Sequence, residues 1–246
     1  MKNKNKNSIL PYYDREAPEV IEARRLISNI SHMTSSKEGK PQIIAITSAT
    51  LGEGKSTIAS LMALTASDHT DKRVLLVDTD IRRPKIHELF NLNVVGGFID
   101  VLNNGLALKD SFKSTPLENL KVITAGKRQA SPSKFINNDN IKAFSEEAKF
   151  YFDFIIMDCA PIVPVSDVID LSPEIDGALM VIKAGKTPRE VTQRAVDLLS
   201  NAGVNILGVI LNDVGRVLPY YYDYSYYNYQ SSSAGVKKSR KRKIKE

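Results

Sequence analysis

Apolar positions along the chain fall into short blocks separated by polar, glycine-bearing stretches. Residues 1–17 are polar and predict a flexible lead-in. From Pro18, the spacing of Val20, Ile21, Leu26, Ile27 and Ile30 predicts an amphipathic helix to about Met33. Thr34 to Pro41 reads as a loop. Gln42–Thr47 (QIIAIT) reads as a short buried strand, followed by a glycine-bearing loop and an alanine-rich helix to about Ser67. Arg73–Asp78 (RVLLVD) is a second strand, and Pro84 opens a helix ending near Phe90. Between 91 and 140 the pattern is broken by Gly96-Gly97, Asn103-Asn104-Gly105 and Ser131-Pro132-Ser133, with a strand at Leu120–Thr124. A helix over Asn140–Phe150 and strands at Phe152–Asp158, Gly177–Ile182 and Ile206–Leu211 complete the pattern. Thr187-Pro188-Arg189-Glu190 reads as a capping box, opening a helix with Val191, Ala195, Leu198 and Leu199 on its apolar face and Gly203 at its end.

Strands apolar on both faces and separated by helices require a sheet covered on both sides. The predicted class is α/β: a doubly wound, mainly parallel sheet with helices on both faces. The expected organisation is a flexible N-terminus with its helix over 1–41, an α/β core domain over 42–214, and a disordered tail over 215–246.

Composition narrows the function. With 246 residues, 42% hydrophobic and 25% charged, the chain suits one α/β domain or at most two small ones. A lone cysteine, Cys159, excludes an internal disulfide or a zinc cluster, so the chain reads as cytosolic. No apolar run approaches the roughly 18–20 residues of a membrane span, and the charged N-terminus has no apolar stretch after it, unlike a signal peptide. The net charge of +6 equals that of Lys237–Glu246, with seven Lys/Arg and one Glu, so residues 1–236 are formally neutral. A DNA-binding body is therefore disfavoured and no nucleic-acid partner is expected. The basic run suits a solvated terminus or contact with anionic lipid. Seven of the ten tyrosines (Tyr220, Tyr221, Tyr222, Tyr224, Tyr226, Tyr227 and Tyr229) crowd into ten positions, with no helix or strand period.

Ala49-Thr50-Leu51-Gly52-Glu53-Gly54-Lys55-Ser56-Thr57 lies between a strand and a helix, where a phosphate loop belongs. Backbone N–H groups must wrap a polyphosphate, so side chains must be absent at the closest approach, at Gly52 and Gly54. Lys55 is placed to reach the β- and γ-phosphates, Ser56 to ligate Mg²⁺ and Thr57 to bond the α-phosphate. The strict G-x-x-x-x-G-K-[ST] pattern wants glycine where Ala49 stands, so the loop alone leaves an incidental strand–turn–helix joint open. Two further strand ends weigh against it. Val74–Val77 runs into Asp78-Thr79-Asp80-Ile81-Arg82, and Phe154–Met157 runs into Asp158. Ligands of open parallel sheets bind outside the carboxyl ends of the strands. Asp78, Asp80 and Asp158 are thus expected to converge with Lys55, where Mg²⁺ would offset three carboxylates.

Together, these motifs resemble the Walker A (Ala49–Thr57), Walker A′ (Val74–Arg82) and Walker B (Ile155–Asp158) segments of the bacterial tyrosine kinases of capsule and exopolysaccharide synthesis. The tyrosine run resembles that family's autophosphorylation cluster. The resemblance implies a P-loop NTPase fold and an ATP- and Mg²⁺-dependent kinase that phosphorylates Tyr220–Tyr229. It implies Lys55 and Ser56 on phosphates and metal, Asp78 and Asp80 near the metal and the attacking hydroxyl, and Asp158 on metal-bound water. Gly52, Glu53, Gly54, Thr57 and Arg82 belong to the nucleotide motifs, and Asn212 and Asp213 resemble the region facing the adenine. It further implies a homo-oligomer, and a cytoplasmic chain recruited to the inner membrane face by a membrane-embedded activator of the polysaccharide chain-length regulator type. Departures stand out. Asp158-Cys159-Ala160-Pro161 replaces D-x-P-P, and Ser28 replaces an arginine of the ring-forming E-x-x-R-x-x-R pattern at Glu22–Arg25. The competing reading is a partitioning or septum-positioning ATPase without kinase activity. Its signature lysine would stand at Thr50, and it has no need of a tyrosine run.

Overall fold

The computed structural model describes residues 8–33, 40–103, 105–127 and 136–214. The tyrosine run and the basic tail lie outside the described residues. A body ending at Asn212 is followed by a C-terminal unit, Asp213–Glu246, of which only Asp213 and Val214 are described.

The body alternates strands and helices: α1 (Pro18–Met33), β1 (Gln42–Ser48), α2 (Lys55–His69), β2 (Val74–Asp78) and α3 (Ile86–Phe90). There follow α4 (Phe98–Leu102), α5 (Leu108–Ser111), β3 (Lys113–Ser114), β4 (Leu120–Ile123), α6 (Asn138–Tyr151) and β5 (Phe154–Asp158). The last elements are α7 (Asp167–Leu171), β6 (Gly177–Lys183), α8 (Arg189–Asn201) and β7 (Ile206–Asn212). The seven strands lie in the order β3-β4-β2-β5-β1-β6-β7, all parallel except for the β3–β4 pair. This is the expected doubly wound sheet.

Alternation along the central strands divides the core into two. Ile44, Ile46, Val74, Leu76, Phe154 and Ile156 pack with α1, α2 and α3. Ile43, Ala45, Leu75, Val77, Ile155 and Met157 pack on the opposite face with residues of α4, α6, α7 and α8. Every residue of β1, β2 and β5 is buried, which is why these segments read as unbroken apolar runs. Helix α2 packs on both the sheet and α1. Covered on two sides, it is built from small residues (Ala59, Ser60, Ala63, Ala66, Ser67) that allow close approach.

Three expectations change. Residues 8–17 are not a free lead-in: Ile9 N–H donates to Leu89 O at 2.9 Å, and Tyr13 and Arg15 both bond the Asp68 carboxylate. Two long-range side-chain bonds and a backbone bond hold a segment whose local pattern is merely polar. In the 91–140 stretch, α4, α5 and β3 are too short to show a period. Gly97 is required there, because a Cβ would lie 2.1 Å from the Thr124 carbonyl oxygen where α4 docks on the end of β4. The capping box at Thr187 does not form either. The residue capping α8 is Pro188, with no side-chain cap bond, because the Thr187 hydroxyl is engaged elsewhere.

Leu76→Ala, in the middle of fully buried β2, is expected to cost about 2–5 kcal/mol by cavity formation. Val209→Ala, at a 48% exposed site on β7, should stay within about 0.5 kcal/mol. Denaturant midpoints of the two variants measure both.

Candidate active site

The parallel register brings the chemistry to one sheet edge. β2 and β5 are neighbours, and their last residues, Asp78 and Asp158, are paired directly. β1 is the strand on the other side of β5, so the loop leaving β1 at Ser48 opens beside both carboxylates. Thr79 and Asp80 N–H groups each donate to the Asp158 carbonyl at 3.0 Å, and the Thr79 hydroxyl does so at 2.9 Å. These bonds latch the turn after β2 onto the end of β5.

At the centre is Lys55, the first residue of α2. Its Nζ donates to Asp80 Oδ2 at 2.7 Å and lies 3.5 Å from Asp158 Oδ1. Burial pulls this ammonium down, but Asp158, Asp80 and Asp78 outweigh the effect and hold its pKa above the ordinary value. Asp80 Oδ1 accepts the Arg83 N–H at 3.0 Å. Asp78 Oδ2 accepts two N–H groups, from Lys85 at 3.1 Å and Ile86 at 3.0 Å. Asp78 Oδ1 and both oxygens of Asp158 are buried without a hydrogen-bond partner. Burial, with the nearby Asp158 charge, pushes Asp78 well above the carboxylate range. Burial also pushes Asp158 up to about 6, against the opposing pull of Lys55. Asp78, Asp80 and Asp158 thus converge with Lys55. Their shared counter-charge here is an ammonium, and among the described residues no three His, Cys, Asp or Glu side chains are set to hold a metal ion by themselves.

The loop itself is shaped by its glycines. Gly52 and Gly54 have φ of +78° and +94°, and a Cβ on Gly54 would lie 2.1 Å from Asn212 Nδ2. Ala49, where the strict pattern wants glycine, is fully buried with φ outside the left-handed region, so alanine fits. Ser56 is buried, Thr57 exposed and Glu53 buried with its carboxylate turned to protein. Asn212 Nδ2 donates to the Glu53 carbonyl at 2.9 Å. Arg82 makes a two-pronged pair with Asp167, at 3.0 and 3.1 Å. Cys159 is fully buried and its thiol is pushed up to about 12 by burial.

Two residues of this network escape a reading of the motifs. Asp167 carries no motif at all. Thr187 looks like a helix cap, and its tie to Glu53 spans 134 positions.

A phosphate loop and two aspartate-ended strands on the carboxyl edge of a doubly wound sheet define a P-loop NTPase. A family model described as ParA, NUBPL iron-transfer P-loop NTPase, matches residues 40–241. The putative tyrosine-protein kinase CapB of Staphylococcus aureus is 31% identical over 226 residues, covering 90% of this chain and 98% of that protein. Among solved structures, the kinase domain of the Escherichia coli tyrosine kinase ETK matches with a TM-score of 0.73 and 28% identity, covering 78% of this chain and 74% of that one. The septum site-determining protein MinD of Pyrococcus horikoshii, complexed with Mg-ADP, gives 0.61 and 25%, covering 72% of each chain. The chain belongs to the bacterial tyrosine kinases, a branch of the ParA-type P-loop NTPases.

The raised Asp158 has a consequence for stability. A carboxyl held near 6 in the fold against 3.8 unfolded binds its proton more tightly when folded. Its contribution is complete below about pH 4 and is lost as pH rises through about 6, a fall of about 3 kcal/mol. Asp158→Asn should flatten that part of the profile, as measured by urea midpoints at pH 4, 5, 6 and 7.

Proposed function

We propose that the chain is a Mg-ATP-dependent protein-tyrosine kinase that phosphorylates Tyr220–Tyr229 at its own C-terminus in the service of capsule or exopolysaccharide synthesis. The observation that carries this reading is the buried Lys55 ammonium among Asp78, Asp80 and Asp158 at the mouth of the phosphate loop. When bound, ATP supplies the phosphoryl group and Mg²⁺ offsets its charge. The residues suit that pair: three carboxylate oxygens are buried without hydrogen-bond partners, and Mg²⁺ commonly takes one or two carboxylates and completes its shell with phosphate oxygens and water. Ser56, Asp78, Asp80 and Asp158 would hold the metal.

The loop N–H groups around Gly52 and Gly54 bind the polyphosphate, Thr57 bonds the α-phosphate and Asn212 lies toward the adenine. Lys55, kept charged by its neighbours, offers a cation to the transferring group. A tyrosine hydroxyl has a pKa near 10, so a carboxylate accepts its proton only as the bond to phosphorus forms. Asp78 is the base in this reading. Its Oδ1 has no hydrogen-bond partner, whereas both oxygens of Asp80 are occupied. Arg82 is a positioning residue, anchored by Asp167.

Transfer runs between molecules of a homo-oligomer, and a membrane-embedded activator recruits the chain to the inner membrane face, with the Lys/Arg tail touching anionic lipid. Seven phosphotyrosines would add about −10 to −14 at neutral pH, enough to reverse the tail's charge and release it. No helix among the described residues is long and apolar enough to cross a membrane.

The test mixes two full-length chains of different size. One carries Lys55→Met; the other is active, with its seven tail tyrosines changed to phenylalanine. With Mg-ATP, phosphotyrosine should appear on the Lys55→Met chain in the mixture and fall at least about a hundredfold when that chain is alone. Circular dichroism checks that the variant is folded, since it removes a cation from among three carboxylates. Undiminished phosphotyrosine on the lone variant would sink the mechanism, and none in the mixture would sink transfer between molecules. Phosphate release without phosphotyrosine would point to a partitioning-type ATPase.

A further inference from the structure

The phosphate loop is held in shape through one of its own side chains, Glu53, and a hydroxyl from outside its motifs. Glu53 is 3% exposed, and its carboxylate takes two donors. Oε2 accepts the Thr50 N–H at 2.8 Å, closing the loop over Leu51 and Gly52. Oε1 accepts the Thr187 hydroxyl. Thr187 is itself fixed, because its Oγ1 accepts the Lys183 N–H at 3.0 Å. Lys183 and Asn212 are the last, paired residues of β6 and β7, and the Asn212 amide grips the Glu53 carbonyl at 2.9 Å. The ends of two strands therefore set the course of the loop through one buried glutamate.

We propose that Thr187 is a positioning residue for the nucleotide: its hydroxyl holds the Glu53 carboxylate, and the carboxylate holds Thr50, so that the loop N–H groups stand ready for a polyphosphate. The inference rests on the ATP-binding reading and extends it to a residue outside the Walker segments. The physical need is specific. A buried carboxylate that loses one of two donors must find another partner, and the nearest adjustment is rotation of Glu53, which frees Thr50 and relaxes the turn. The N–H groups that wrap phosphate act together only in one loop shape, so the loss falls on nucleotide affinity. Thr187 bonds neither Lys55 nor the three aspartates, so transfer at saturating ATP is spared.

The experiment uses the full-length chain, a Mg²⁺-bound fluorescent ATP analogue titrated to saturation, and initial rates of phosphotyrosine formation against ATP. Thr187→Val keeps the shape and removes the hydroxyl. It should raise both the Kd for the analogue and the KM for ATP about tenfold, with kcat within about twofold. Thr187→Ser, which keeps the hydroxyl, should restore both constants. Unchanged affinity in Thr187→Val beside a wild-type chain that binds overturns the clamp and leaves the ATP reading standing. A wild-type chain that binds no nucleotide overturns the ATP reading and the clamp with it. Equal loss of kcat and affinity, without rescue by serine, marks general damage to the fold and also counts against the clamp. If Thr187→Val melts below the assay temperature, Glu53→Ala removes the other half of the pair. It should raise the Kd for the analogue, and retained affinity there overturns the clamp equally.

Discussion

One ammonium among three carboxylates is the interaction on which the site is built. Lys55, Asp78, Asp80 and Asp158 are all at least nine-tenths buried, and their formal charges do not balance. A buried charge without compensation costs several kcal/mol, and the pKa values of Asp78 and Asp158 are raised while the lysine is held charged. That imbalance suits a centre that receives a polyphosphate together with its cation. The fold carries a standing electrostatic cost at this edge, offset by the two largely apolar core layers beneath it.

Parallel strand register gives the centre its precision. Asp78 and Asp158 stand together because β2 and β5 pair in phase to their last residues, and Lys55 meets them because β1 lies across β5. A one-residue slip would turn each carboxylate to the other face of the sheet. Beyond the strands, ties of long sequence separation hold the loops: Arg82 to Asp167, Thr79 to the end of β5, and Glu53 to Thr187. The edge that carries the candidate site is made of loops, yet these loops are pinned by buried or half-buried bonds to a strand end or a neighbouring helix.

The same architecture serves relatives with different tasks, since the ETK kinase domain and MinD both overlie this chain. The slot where the partitioning ATPases carry their signature lysine is Thr50, whose N–H is bound to Glu53. The description of the matching family mentions iron transfer, but the lone Cys159 is sealed in the core with a thiol pushed up to about 12.

The strands and long helices were legible from the residues alone. β1, β2 and β5 are buried on both faces and read as unbroken apolar runs, and α1, α6 and α8 carry their stripes at helical spacing. Asp78, Asp80, Asp158 and the glycines of the phosphate loop were equally legible, since strand-end carboxylates and side-chain-free turns are local signals. The short α4, α5 and β3 were not, because two to five residues are too few to show a period. The anchoring of residues 8–17 rests on contacts with Asp68 and Leu89, which no local pattern encodes. Thr187 is the clearest case. Its neighbours spell a helix cap, and only the folded chain, by closing a gap of 134 positions, gives its hydroxyl to Glu53. Local chemistry names the candidate groups; which of them share a bond is decided by the packing of distant strands, where the free energy of burial outweighs local preference.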